Sequence, residues 1–400
     1  MQTKGIRLDF NDGVLRGKPG ATCVMVWCLA SLVSAVFTVN GVGQGMAVGS
    51  FQQSYRIFYS TADGLPDSNA YTVAIAPDSG IVYAGTANGA AKLMGQQWQL
   101  LPGIEGAPVR TLAVSPAGKV YLIFQGYLYE ASERRVAPLP AGVDETSCCL
   151  ALSEAGVFLG TDRGLYQLKV GEFEALIGLN TMLSQGAEIR QVAIGDQGDI
   201  AVAARAGLFY RGESQQTWTE LRPADESRAW WPRDSRAVGI DSQDRLWFAC
   251  AQGMGYREDT WRLFEGKDGL PYDDFTALAA GHQGQVWLGT RLGAIHFDGN
   301  HWAYRQGLRW LPGDHVRDVA VARDGSAWFA SPAGIGVIRH KSLTFAEKAR
   351  YYEAEIDRRH RRTRHGFILQ VYTDQPGDAT SLHQTDSDND GLWTSMYGAG

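Results

Sequence analysis

The chain has 400 residues, is 44% hydrophobic and carries a formal net charge of −6. That length allows a large buried core or several domains, while the mildly acidic balance gives no concentrated cationic face for duplex nucleic acid. The 48 glycines and 12 tryptophans beside only 14 prolines suit many short strands joined by tight turns and anchored by aromatic rings.

At the N-terminus, Lys4, Arg7, Arg16 and Lys18 precede an uncharged stretch from Ala21 to Phe37. No charge returns until Arg56, and Gly45-Met46-Ala47 offers the small-x-small pattern of a cleavage site. Residues 1–47 are therefore expected to be a signal peptide. The alternative is a membrane anchor, since the stretch nears the ~17–20 residues that span a bilayer and its basic flank would stay cytoplasmic. Either way the rest of the chain is expected outside the cytoplasm: periplasmic, secreted or held at the cytoplasmic membrane by its N-terminus. Cys23 and Cys28 fall in the apolar stretch, leaving Cys148, Cys149 and Cys250. These lack zinc-ligand spacing and read as small buried residues.

From Val82 onward a short pattern returns: Val82-Tyr83-Ala84-Gly85-Thr86, Val157-Phe158-Leu159-Gly160-Thr161 and Val286-Trp287-Leu288-Gly289-Thr290. Weaker copies begin at Val120, Ile200, Leu246 and Ala327, giving seven units at spacings of roughly 37–46 residues. An alternating apolar run precedes each copy, as in Val316-Arg317-Asp318-Val319-Ala320-Val321. A glycine turn and a third strand follow, often with an aromatic fourth such as His301-Trp302-Ala303-Tyr304. Four short strands cannot bury both faces alone, so the units must stack, and a closed ring leaves only short protected edges. The expected fold is all-β: a seven-bladed β-propeller over residues 48–341, with a short C-terminal α-helical extension over 342–400. Tyr55-Arg56-Ile57-Phe58-Tyr59 is expected to complete the last blade. Tyr83, Tyr121, Phe158, Trp247, Trp287 and Trp328 share one strand position and read as core between blades.

Asp63-Gly64-Leu65-Pro66 and Asp268-Gly269-Leu270-Pro271, each followed by a strand and then Gly-Thr, resemble the two-component regulator propeller repeat over roughly residues 52–341. The resemblance implies a periplasmic sensor-type propeller, with glycan fragments as frequent ligands and an unknown signalling partner. Trp328-Phe329-Ala330 and Gly334-Ile335-Gly336 resemble, more weakly, the streptogramin-lyase type of propeller. The chain shows no second span, kinase or DNA-binding module.

In a propeller, the connection between blades and the hairpin joining a blade's second and third strands emerge on one face. Asp63 and Asp268 lie on the first kind of loop and Arg163, Arg205 and Arg291 on the second, so all are expected on one rim. Trp230-Trp231-Pro232-Arg233 falls on the same side. Guanidinium forks suit carboxylate or sulfate, and an exposed indole suits a sugar face. Arg163, Arg205, Trp230, Trp231, Arg233 and Arg291 are thus candidate ligand-binding residues for an acidic or neutral oligosaccharide. The competing reading is solvated loop arginines with Trp230 or Trp231 plugging the propeller.

Beyond Leu343, Ala346 to Ile356 reads as an amphipathic helix, followed by the basic run Arg358-Arg359-His360-Arg361-Arg362 and a strand over Phe367–Tyr372. Asp386-Ser387-Asp388-Asn389-Asp390-Gly391 begins as a calcium loop does, but Tyr397 stands where an EF-hand needs Glu. Asp386, Asp388 and Asp390 are therefore candidate Ca2+ ligands, a helix cap, or an acid pair, and Leu392–Tyr397 is expected to be helical. This junction resembles the start of an α/α-toroid domain, which would imply a glycan-active hydrolase or lyase using those aspartates. The leading expectation is an exported ligand-binding or sensing propeller. The alternatives are the accessory propeller of such an enzyme, or a protein-interaction scaffold.

Overall fold

A computed structural model describes residues 49–131, 134–183, 187–215, 217–281, 284–361, 363–374 and 381–399. The signal or anchor expected at residues 1–47 lies outside them. Among the described residues no helix is long and apolar enough to cross a membrane. The described residues group into two compact units, Ser54–Lys341 and the flanking residues 49–53 with 342–399.

The first unit is a seven-bladed β-propeller. The chain opens with β1 (Phe51–Tyr59) and then builds blade 1 from β2 (Ala70–Ile75), β3 (Val82–Thr86), β4 (Gly89–Met94) and β5 (Gln97–Glu105). Blade 2 holds β6 (Leu112–Val114), β7 (Val120–Phe124), β8 (Tyr127–Glu130) and β9 (Arg134–Pro138). Blade 3 holds β10 (Cys149–Ser153), β11 (Gly156–Thr161), β12 (Gly164–Lys169) and β13 (Glu172–Ala175), followed by the short helix α1 (Ile177–Leu183). Blade 4 holds β14 (Ile189–Ile194), β15 (Ile200–Ala204), β16 (Gly207–Arg211) and β17 (Thr219–Glu220). Blade 5 holds β18 (Ala237–Ile240), β19 (Leu246–Cys250), β20 (Gly253–Arg257) and β21 (Trp261–Phe264). Blade 6 holds β22 (Phe275–Ala280), β23 (Val286–Thr290), β24 (Gly293–Phe297) and β25 (Trp302–Arg305). In blade 7, β26 (Asp318–Val321), β27 (Ala327–Ser331) and β28 (Gly334–Leu343) are completed by β1, as expected from Tyr55–Tyr59.

The first strands of the blades form the inner ring, each touching the next from β2 through β6, β10, β14, β18, β22 and β26 back to β2. At the seam between last and first blades, Tyr59 stacks on Trp328 at 5.9 Å and meets Trp98 edge-on at 5.8 Å. The repeated aromatics pack between blades: Phe158, Trp247, Trp287 and Trp328 are buried, and Tyr83 and Tyr121 half-buried. Each buried ring contributes roughly 1.5–3 kcal/mol.

The repeated Gly-Thr has a local cause. The hydroxyls of Thr86, Thr161 and Thr290, and of Ser331 in the same role, donate to the carbonyls of Gly89, Gly164, Gly293 and Gly334 at 2.8–3.0 Å, closing the turn between second and third strands. The Asp-Gly-Leu-Pro segments also serve the fold. Asp63 and Asp268 accept from the backbone N–H of Ser60 and Glu265 in capped 3-10 turns, and Leu65 and Leu270 enter the core.

In the second unit, α2 (Phe345–Arg359) starts at a capping box of Thr344 and Glu347. It precedes a hairpin of β29 (Gln370–Thr373) with β30 (Leu382–Thr385), then α3 (Asp390–Ala399). The helix expected at Ala346–Ile356 and that at Leu392–Tyr397 are present and somewhat longer, whereas the strand expected at Phe367–Tyr372 begins later. Phe51 packs on Phe345 at 5.3 Å, and Gln384 donates to the carbonyl of His360 at 2.8 Å. Two helices and a hairpin do not make a toroid, which is built from many helix pairs.

Candidate functional site

Strand register makes one position equivalent in all seven inner strands. Thr72, Cys149, Gln191, Ala237, Ala277 and Asp318 each lie opposite a glycine or alanine of the second strand. Thr111 takes the same place in blade 2, accepting from Ile123 N–H. The residue just before them is Tyr71, Arg110, Cys148, Arg190, Arg236, Thr276 and Arg317 in blades 1 to 7. In blades 1, 4 and 6 the register skips this residue, leaving it in a bulge, a device that re-aims a side chain. Because the strands alternate in direction, this position sits at the end where second-to-third-strand hairpins and blade connections emerge. Four arginines thus stand around one mouth of the central channel.

Across blades 4 to 6 these arginines are held in a chain of alternating charge. Arg205 pairs with Glu188 at 4.0 Å, and Glu188 with Arg190 at 3.5 Å. Arg190 then meets Asp234 at 2.8 Å, and Asp234 meets Arg236 at 3.0 Å. Asp274 ends the chain between Arg236 at 2.8 Å and Arg291 at 3.1 Å. Burial works against the Arg236 charge, but Asp234 and Asp274 outweigh it and hold the guanidinium above its ordinary pKa. Such part-exposed pairs contribute about 0–1 kcal/mol each; their effect is to fix orientation.

The other side of the mouth is different. Arg110 and Arg317 both lie over the Tyr71 ring, at 4.2 and 4.6 Å. Arg317 donates to Asn69 Oδ1 at 2.7 Å and to Ala70 O at 3.0 Å. Among the described residues neither guanidinium pairs with a carboxylate, and burial, with Arg110 beside it, pushes the pKa of Arg317 down. His315 is also pushed down, by burial and then by Arg317 and Arg291, so its ring is neutral at pH 7. Burial raises the Cys148 thiol to about 12, which makes it no nucleophile. Next to the arginines, Gln191 accepts from Val238 N–H at 3.3 Å and donates to Leu278 O at 3.0 Å, tying blade 4 to blades 5 and 6.

Of the residues expected from sequence, Arg205 and Arg291 join this network. Arg163 lies on the equivalent turn of blade 3, where its Nε donates to Gly142 O. Trp231 is 43% exposed, with Arg222 and Arg233 over its ring at 4.2 and 4.1 Å and its Nε1 donating to Glu220. Trp230 is a correction: it is only 7% exposed, set edge-on to Phe248 in the core, and offers no face to a ligand. The calcium expectation gains no support from the side chains. Among the described residues no three His, Cys, Asp or Glu side chains gather to hold a metal. Asp390 instead caps α3, accepting from Ser387 N–H at 2.9 Å and Ser387 Oγ at 3.0 Å, and Asp386 and Asp388 do not converge on it. Sequence reading missed Tyr71, Arg110, Arg190, Arg236 and Arg317. The signal was available in Val109-Arg110-Thr111-Leu112-Ala113-Val114, Ile189-Arg190-Gln191-Val192-Ala193-Ile194 and Val316-Arg317-Asp318-Val319-Ala320-Val321, which share an arginine in second place.

A hollow of about 620 Å³ opens at the opposite mouth, lined by Asp78, Asp196, Asp241, Asp324, Arg323 and Arg339 among others. Its charges serve the fold: Asp241 binds Arg245 and Trp247 Nε1, both at 2.8 Å, and Asp324 accepts from Ser326 N–H at 2.9 Å. This lining sets four carboxylates against two guanidiniums, whereas at the arginine mouth Arg110 and Arg317 have no carboxylate at ion-pair distance among the described residues, so an anion is better matched there.

Neither a protein-family model nor a curated protein sequence matches this chain. Among solved structures it is similar to the extracellular domain of the one-component system BT4673 of B. thetaiotaomicron. There identity is 16% and the TM-score 0.56, over 74% of this chain but 41% of that one. It is also similar to streptogramin B lyase, at 16% identity and a TM-score of 0.55 over 72% of this chain and 98% of that one. A third likeness is to YCF48 bound to D1 peptide, at 15% identity and a TM-score of 0.50 over 73% and 96%. At such identities the likeness shows the propeller fold alone.

Proposed function

We propose that this chain is an exported ligand-binding or sensing propeller that takes an anionic extracellular ligand, an acidic oligosaccharide, at the arginine mouth. The observation that carries the reading is the pair Arg110 and Arg317 over Tyr71, part-buried and, among the described residues, with no carboxylate at ion-pair distance, Asp144 acting on Arg110 only from further off. Guanidinium forks bind carboxylate or sulfate through paired hydrogen bonds, and the ion-pair chain on blades 4 to 6 holds further arginines at the same rim. Trp231, with Arg222 and Arg233, gives an exposed indole for a sugar face. Export and a sensing role rest on the N-terminal segment, the Asp-Gly-Leu-Pro repeats and the likeness to the BT4673 extracellular domain, a fold that also serves a lyase and a peptide binder.

Isothermal titration calorimetry with uronate-containing oligosaccharides and their neutral counterparts tests the reading. Binding should be confined to the acidic set, weaken as salt rises, and fall at least tenfold in Arg110→Ser/Arg317→Ser. Preference for neutral sugars, or unchanged affinity in that variant, overturns it.

A further inference from the structure

The contact between blades 6 and 7 changes character from axis to rim. Deep inside it is apolar: Trp287 meets Phe329 edge-on at 5.2 Å, with Val319, Ala327 and Ile338 in the same cluster. Further out, His296 lies opposite Trp287 in the sheet and stacks on it at 4.4 Å, with His340 of β28 at 6.5 Å. Arg305 follows on the same face of β25, two residues beyond Ala303, the partner of His296. Its guanidinium lies 4.4 Å over Trp310, and that of Arg309 lies 5.9 Å from the same ring. On β1, Arg56 leans over Phe58, and Ser54 Oγ meets His340 Nδ1 at 3.2 Å.

This arrangement is costly as it stands. Burial and then Arg309 push both Arg56 and Arg305 below the ordinary guanidinium pKa. Burial takes His296 to about 4 and lowers His340, leaving both rings neutral at pH 7. The acids that act on the histidines are Asp298 and Asp324, and both are already bound by backbone N–H groups. No carboxylate pairs with Arg56, Arg305 or Arg309 among the described residues, and Arg305 Nε is buried without an acceptor from the protein. A buried donor left unmatched is destabilising, more so when charged.

We propose that the cluster of Arg56, Arg305, Arg309 and Trp310 between blades 6 and 7 is a second binding site whose ligand is a phosphate or sulfate group. A tetrahedral oxyanion offers several acceptors to clustered guanidinium forks and quenches their mutual repulsion. The site is built from β25, β1 and the connection between blades 6 and 7, and shares no residue with the arginine mouth.

The full chain is titrated with inorganic phosphate, inorganic sulfate and a sulfated disaccharide at matched ionic strength, by calorimetry and thermal melting. One oxyanion should raise the melting temperature beyond sodium chloride. Arg309→Gln, at an exposed position, should weaken binding about threefold, and Arg305→Gln/Arg309→Gln at least tenfold. Arg110→Ser/Arg317→Ser should leave it unchanged, which separates this site from the acidic-glycan reading. Tighter binding of the disaccharide than of free sulfate assigns the group to a carbohydrate carrier, and equal binding assigns the free ion. The proposal is overturned by no effect beyond chloride, or by unchanged affinity in both glutamine variants.

Discussion

One side-chain type at one strand position has different consequences from blade to blade because its neighbours differ. Arg190 and Arg236 are locked by Asp234 and Asp274, whereas Arg317 finds only an amide, a carbonyl and a tyrosine ring. The residue after it is more unusual. The Asp318 carboxylate is enclosed, although the residue as a whole keeps some exposure, and accepts from Thr72 Oγ1 at 2.7 Å, Val73 N–H at 3.0 Å and Val319 N–H at 2.9 Å. Burial outweighs these donors and raises its pKa from 3.8 to about 6. The folded state therefore holds this proton more tightly than the unfolded chain. Stability from this group is full below about pH 4 and is lost as pH rises through 6. Asp318→Asn keeps an acceptor and removes the charge, so the gap in denaturant stability between variant and wild type should shift in the variant's favour from pH 4 to pH 7. A gap independent of pH would show that the seam does not feel this titration.

At the scale of elements, the hairpin between second and third strands explains why the sequence repeats as it does. The hydroxyl closes the turn, and the glycine three residues later lets the next strand start against a neighbouring carbonyl. Gly334 has φ +133°, and a Cβ there would sit 2.3 Å from Tyr59 O of β1. Gly334→Ala should therefore push the ring-closing strand off blade 7, at a cost on the order of 2–4 kcal/mol. Thr290→Val, which deletes the hydroxyl that donates to Gly293 O and accepts from Leu292 N–H, should cost about 1–2 kcal/mol. Chemical denaturation of both variants checks the order. The elements themselves were legible in the sequence because alternation and repetition are local properties. The burial of Trp230 was not, since Trp230-Trp231 looks the same from either side and only the packing of Phe248 beneath one ring separates them.

For the whole molecule, closure is the feature on which the rest depends. Inner strands touch around the full ring, and β1 supplies the outer strand of a blade whose other strands lie more than 250 residues later. A chain beginning at Ser60 should leave β28 as an unpaired edge, lose cooperative melting and aggregate. Melting and light scattering measure this, and a monomeric variant with unchanged melting would show that β1 does not hold the ring shut.

The sequence by itself determined the number of blades, the closing role of Tyr55–Tyr59 and the core role of the repeated aromatics, because each follows from a period that a linear string displays. Only the tertiary structure decided which charges meet. Arg110, Tyr71 and Arg317 belong to three different blades, as do Arg190, Arg236 and Asp274, and Arg56 comes near Arg309 only after the ring has closed. Those pairings depend on rotation about a common axis, which brings distant segments to one mouth or one wall and leaves no trace in local spacing.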